Sequence, residues 1–293
     1  MANRANDERM IYLYCLTRSH EEKPLSLPVK GIGDRGDEVY SIPFLDLAFA
    51  VSDSPRDDYP TTRVNTIRHE VICEEVMKKG LTVVPVRFGS VATPTDVSTA
   101  EGRIERLIRR RYGELQEILR EMEGKEELGL KVFWQKERLF QDVLKANPLI
   151  RRFRDRLLRA GEATHYQRIE LGTMVQEAME EKRDADARRL ALALSPLADR
   201  YETNKVLMDL MLLNASFLVQ KSHVERFDRK VDELDEEYGE RMKFNYVGPV
   251  PPFDFVELVM HWEEEEETEF EIVRKGKKAK EMMGDLREGV AQS

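Results

Sequence analysis

The sequence predicts an α+β protein of two domains, the second ferredoxin-like, followed by an extended charged C-terminal tail. Three observations carry that expectation. The chain has 293 residues, more than one hydrophobic core usually serves. Short β-branched and aromatic runs alternate with longer amphipathic stretches, so neither an all-helical nor an all-strand class fits. After a charged, glycine-flanked turn at residues 124–129 the strand-then-helix order begins again. The expected limits are 1–125 for the first domain, 126–247 for the second, and 248–293 for a proline-rich extension and tail.

In the first domain, residues 10–16 (Met-Ile-Tyr-Leu-Tyr-Cys-Leu) form a buried strand, and residues 37–42 and 45–52 form two neighbouring strands joined through Pro43. Thr61 or Thr62 caps a helix to Lys79 whose apolar residues Val64, Ile67, Val71 and Val76 fall near helical spacing, with Gly80 beyond its end. Residues 81–88 form a strand that Pro85 confines to an edge or a bulge, because proline donates no ladder hydrogen bond; Arg87 faces opposite to Val86 and Phe88. One amphipathic helix spans 99–123, with Ile104, Leu107, Ile108, Leu115, Ile118 and Met122 at spacings of three and four.

The second domain starts with a strand at 130–134, then helical segments at 135–160 and 163–194, the latter interrupted by Gly172. Residues 208–220 supply one long or two short strands, 224–240 a helix with Phe227, Val231 and Leu234 inward, and 242–247 a final strand. The resulting order β, α, β, β, α, β is that of the ferredoxin-like split motif. Beyond Gly248 three prolines interrupt regular structure. A glutamate run at 263–267 and a basic cluster of Arg274, Lys275, Lys277, Lys278 and Lys280 read as a solvated end.

The net charge of −9 argues against nucleic acid or an anionic membrane as the main partner. Two cysteines, Cys15 and Cys73, are too few for a disulfide scaffold or a cysteine zinc site and fit a reducing compartment. The charged first residues do not resemble a secretory leader, and no stretch approaches the roughly 20 apolar residues of a membrane span. A cytoplasmic location is expected.

Candidate chemistry is sparse. Gly31-Ile-Gly-Asp-Arg-Gly36 matches the dinucleotide fingerprint letter for letter, but strand-like residues follow it where a phosphate-binding helix should start, so it reads as a turn between strands. His69 and Cys73 lie four apart on a helix, without a second ligand pair, orienting group or oxyanion donor, so packing is the reading preferred over metal or thiol chemistry. Arg109–Arg111 and the arginines of 151–156 read as solvated helix faces that leave room for an acidic protein partner. The glutamate run lacks the spaced ligands of a calcium loop, and the five histidines, at 20, 69, 165, 223 and 261, are scattered. No P-loop, nucleophile elbow or His-Glu-x-x-His occurs. No catalytic, cofactor-binding or metal residues are assigned, and no enzyme is expected.

Several segments together resemble the F/L family of gas vesicle proteins. They include Ile11-Tyr-Leu-Tyr14, the Lys30-Gly31 turn, Leu45 to Ser52, His69 with Val76 and Met77, and Thr82-Val-Val-Pro-Val-Arg-Phe-Gly-Ser90. Glu127 to Trp134, Ile169 to Gly172, Leu213 to Val219 and Gly248-Pro-Val-Pro-Pro-Phe-Asp-Phe255 continue the likeness. Ser90 stands where the family pattern has threonine and keeps the hydroxyl. The resemblance implies a protein of the gas vesicle within the cytoplasm, an accessory or minor structural component that binds the shell protein and supports nucleation or assembly. The alternatives are an assembly chaperone or hub for other accessory proteins and, remotely, a nucleotide-using or hydrolytic enzyme. An edge strand carrying Pro85 with Arg87 and Phe88, and an extension carrying Pro251, Phe253 and Phe255, offer an ionic anchor and apolar contacts, and those five are the expected partner-binding residues.

Overall fold

A computed structural model describes residues 9–19, 25–161, 164–262 and 269–278. Closeness of backbone positions in space groups them into two compact units. The first runs to Glu127 and resumes at Pro249–Gly276; the second comprises Leu128–Gly248 with Lys277 and Lys278.

In the first unit, strand β1 (Met10–Arg18) lies between β3 (Leu47–Ser54) and β4 (Val83–Pro85), with β2 (Val39–Phe44) outside β3; the short β5 (Val91–Ala92) also pairs with β1. β2 and β3 form an antiparallel hairpin closed at Leu45, and Pro43 is tolerated because β2 is an edge strand. Residues 11–17 of β1 are all buried, so the sheet is covered on both faces. Helix α1 (Arg63–Lys78) packs on Tyr12, Tyr14 and Cys15, which a register shift between Leu13 and Cys15 brings to one cluster.

The other covering differs from expectation. In place of one helix at 99–123 there are two, α2 (Ala100–Arg110) and α3 (Tyr112–Met122), broken where Arg111 leaves helical geometry at φ −112° and ψ 21°. Gly113 weakens the same turn, and the break lets Ile104, Leu107 and Ile108 and then Leu115, Ile118, Leu119 and Met122 all reach the core. The expected strand at 81–88 is also shorter. After Pro85 the chain bridges to a different strand, and Gly89, at φ +85°, turns it back.

The strand that leads into the second unit, β6 (Lys125–Trp134), starts five residues earlier than expected, because Gly124 alone, at φ +70°, makes the turn. The helical stretch at 135–160 is split into α4 (Lys136–Ala146) and α5 (Pro148–Ala160), with Pro148 starting a new helix since it cannot continue the old one. Helix α6 (His165–Leu194) passes through Gly172 without interruption. Its start is fixed by a capping box in which Thr164 and Gln167 satisfy each other's backbone donors.

Next come β7 (Arg200–Thr203), a strand not anticipated, and β8 (Met211–Gln220), which is one strand and not two. Helix α7 (Val224–Tyr238) buries Phe227, Val231 and Leu234 as its spacing predicts, and β9 (Met242–Val250) follows. The sheet order is β9-β6-β8-β7, extended at β7 by β12 (Lys277–Lys278).

The stretch after Gly248, expected as an extension and charged tail, instead contains an antiparallel pair in the first unit, β10 (Val256–His261) and β11 (Glu269–Arg274). Val256, Leu258, Val259, Met260 and Phe270 are apolar enough to bury there, which outweighs the charge around them. The glutamate run 263–267 and Lys280 lie outside the described residues.

In the second unit Phe227 is fully buried with its ring 5.1 Å from that of Phe217. Phe227→Ala is expected to destabilise that unit by about 3–5 kcal/mol. Denaturant unfolding checks this; a loss under about 1 kcal/mol would contradict the packing described.

Candidate binding surface of the first unit

Helix α1 begins where the Thr62 hydroxyl accepts the Asn65 amide at 3.3 Å and ends before Gly80, at φ +82°. Its buried residues are His69, Ile72, Cys73 and Val76, an i, i+3, i+4, i+7 stripe. Two of the apolar residues at helical spacing, Val64 and Ile67, are 62% and 44% exposed. The helix is rotated so that the imidazole of His69, not the valine and isoleucine, meets the rings of Tyr12, Tyr14 and Phe88. That choice is affordable because the imidazole is satisfied. Tyr12 Oη lies 3.0 Å from His69 Nδ1 and accepts the Gly89 amide at 2.9 Å, while His69 also bonds the Val86 backbone. Desolvation holds the imidazole neutral, with its pKa pushed down to about 4, and burial raises the Tyr12 and Tyr14 hydroxyls.

The glycines at 31–36 serve conformation and close approach. A Cβ on Gly31 would sit 2.5 Å from the Ser52 hydroxyl and 3.1 Å from that of Tyr14, and Gly33 and Gly36 adopt φ +92° and +73°. The Ile32 amide donates to Tyr14 Oη at 2.7 Å, and the Gly31 amide to the Asp37 carbonyl at 2.8 Å. No helix starts there, as the sequence context indicates. Arg68 Nη1 donates to the Gly33 carbonyl, so the loop is tied to α1. Between loop and helix lies a groove of about 360 Å³ lined by Val29, Gly31, Gly33, Ile67, Val71 and Ile72, with Lys30, Asp34 and Arg68 also on its wall.

The five expected partner-binding residues divide into two groups. Arg87 is half-exposed and pairs with Glu257 through Nε and Nη2 at 2.9 and 2.8 Å. Phe88 and Phe253 are half-buried and pack on the α1 cluster. Pro251 is buried, and Phe255 is fully so. The residues around them are stitched to the backbone. The Val86 amide donates to Tyr14 and the Arg87 amide to Leu258, Ser90 Oγ donates to the Arg87 carbonyl at 2.7 Å, and the Asp254 amide donates to Glu127. Sequence reading missed Tyr12, Tyr14 and Ser52, whose hydroxyls organise this region; a strand carrying two tyrosines in a wholly buried run was the available signal.

His69 and Cys73 share the buried face, and the Cys73 thiol donates to the Tyr14 carbonyl at 3.4 Å. Desolvation pushes that thiol up, which withholds the thiolate needed for nucleophilic or metal chemistry. Among the described residues no group of three or more His, Cys, Asp or Glu could hold a metal, and no helix is long and apolar enough to cross a membrane.

The family model described as gas vesicle synthesis protein GvpL/GvpF matches residues 10–257. The chain belongs to the GvpL/GvpF family. Among the relatives of this family, gas vesicle protein F of Streptomyces sp. (strain CB03234) is 30% identical over 248 residues, covering 84% of this chain and 99% of the relative. Gas vesicle protein F of Microcystis aeruginosa (strain PCC 7806) is 26% identical, covering 85% and 98%. The crystal structure of GvpF from Anabaena sp. PCC7120, at 24% identity, superposes with a TM-score of 0.69 over 84% of this chain and 97% of that one. That likeness shows the mixed helix-and-sheet fold. The GvpL/GvpF match takes in α1, the glycine loop and the Arg87–Glu257 pair, and stops before β11.

The neutral, buried His69 sets a pH dependence. Its folded pKa of about 4 lies below its ordinary 6.5, so the unfolded chain binds the extra proton between those values. Stability from this group is complete above pH 6.5 and is lost as the pH falls to about 4, a total of roughly 3 kcal/mol. Denaturant melts across this window should show the loss in the native chain and a flatter profile in His69→Gln; parallel profiles would refute the assignment.

Proposed function

We propose that this chain is an accessory protein of the gas vesicle that binds the shell protein and supports nucleation or assembly, without catalysis. Family membership supplies the setting, and one observation carries the binding role. The Val64–Ile67–Val71 stripe of α1 is apolar at helical spacing yet left out of the core, beside a glycine loop whose shape is fixed by hydrogen bonds. Ile67 and Val71 line a groove with a few charges and Val64 lies exposed one turn before it, an arrangement suited to a short amphipathic segment. Arg87, Phe88 and Phe253 are proposed as a second contact region, with Pro251 and Phe255 holding it from beneath. An alternative reading, a chaperone or hub for other accessory proteins, is favoured by the exposed Arg152, Arg156 and Arg159 of α5.

We also read the two compact units as two domains, the first discontinuous. The order β9-β6-β8-β7, with helices joining β6 to β7 and β8 to β9, supports a ferredoxin-like second domain.

Co-purification with the shell protein tests the function. The full chain should retain it, and Val64→Asp with Ile67→Asp should weaken retention about tenfold or more with little change in unfolding midpoint, since both side chains are exposed. Retention that is absent in the full chain, or indifferent to this pair, would remove the proposal.

A further inference from the structure

Helix α5 concentrates charge opposite in sign to the protein as a whole. The chain carries −9, but the thirteen residues of α5 hold five arginines against one aspartate, a net +4. Ile150 and Leu157 are the residues it buries. On the opposite side Leu149, Arg152, Arg156 and Arg159, spaced i, i+3, i+7 and i+10, form one exposed stripe, with Leu149 70% exposed at its start. Arg154 is paired with Asp155 at 2.6 Å. Among the described residues neither Arg152 nor Arg159 has a carboxylate partner, although the chain has 56 acidic residues to supply one. Arg156 lies 5.0 Å over the ring of Phe153.

We infer that this stripe is a docking surface for an acidic amphipathic helix of a partner protein. Three guanidinium groups at helical spacing match carboxylates spaced three and four apart on a facing helix, each able to form a bidentate pair. Leu149 adds an apolar contact at one end. Nucleic acid fits less well. Phe153 is half-buried and covered by Arg156, so α5 itself presents no open ring for a base to stack on, and the negative chain repels an extended phosphate backbone. An anionic membrane fits less well too, because α5 buries Ile150 and Leu157 in its own unit and leaves Leu149 and Leu158, not a continuous apolar face, exposed. The inference stands whether or not α1 binds the shell protein.

The test uses the full chain and a labelled synthetic helix carrying glutamates at three- and four-residue spacing on an alanine and leucine background. By fluorescence anisotropy the chain should bind it at about 50 mM salt and release it as screening rises. Arg152→Glu with Arg156→Glu and Arg159→Glu should weaken binding at least about tenfold, and the same positions changed to glutamine should weaken it less. Arg226→Glu with Arg229→Glu and Lys243→Glu, equally exposed and in the same unit, should leave affinity within about twofold. Absent binding, or equal weakening by both triple variants, overturns the inference. So does tighter binding of a single-stranded oligonucleotide or of anionic vesicles. A stripe variant that alters only the sedimentation of the chain itself would assign the surface to a second copy and likewise overturn it.

Discussion

The Arg87 amide donates to the Leu258 carbonyl at 2.8 Å, while one residue earlier the Val86 amide donates to Tyr14 in β1. These two bonds point in opposite directions from the same short segment, which therefore joins the central strand of the first unit to a strand from far along the sequence. Pro85 makes the arrangement one-sided. Alternation directs its missing donor toward β10, so β4 can meet β10 only from Val86 onward, where the one parallel bridge among the described residues is found. Phe255 fills the core beneath, and the Arg87–Glu257 ion pair closes the edge above. Exposed ion pairs contribute little, about 0–1 kcal/mol, so the burial of Phe255, Val256 and Leu258 is the larger contribution to holding the return segment.

From this stitching follows the geometry of α1. The turn at Gly89 places a backbone donor over Tyr12, which in turn fixes His69, and His69 sets the rotation of the helix. With His69, Ile72, Cys73 and Val76 inside, Ile67 and Val71 are left on the groove wall beside the glycine loop, and Val64 is left exposed one turn earlier. The apolar groove is thus a consequence of a satisfied polar group in the core: a helix rotated to bury the valine and isoleucine would leave Tyr12 and the imidazole to find other partners.

Strong local signals were legible in the sequence. The buried run of β1, the β2–β3 hairpin, the inward face of α7 and the glycine turn at 31–36 all follow from periodicity and turn chemistry. What failed did so where tertiary contacts decide. Nothing local distinguishes Val64 and Ile67 from core residues, because their exposure depends on a tyrosine more than fifty positions away. The break at Arg111 and the four-residue strand β7 are too short to impose a period. Residues 256–261 and 269–274 were hidden by the charges around them, although Val256, Leu258, Met260 and Phe270 carried an alternating signal. At the partner-binding positions, residue type alone could not separate the half-exposed Arg87 from Phe255, which shares its motif-rich setting but is wholly internal.

Hydrogen exchange on Phe255→Ala tests most directly whether the return segment is integral to the first unit. Removing the ring should lower protection together in β1, β4 and β10, by a factor of about a hundred or more, as expected for a core phenylalanine in one cooperative unit. Loss of protection confined to β10 and β11, with β1 and β4 unchanged, would contradict the account.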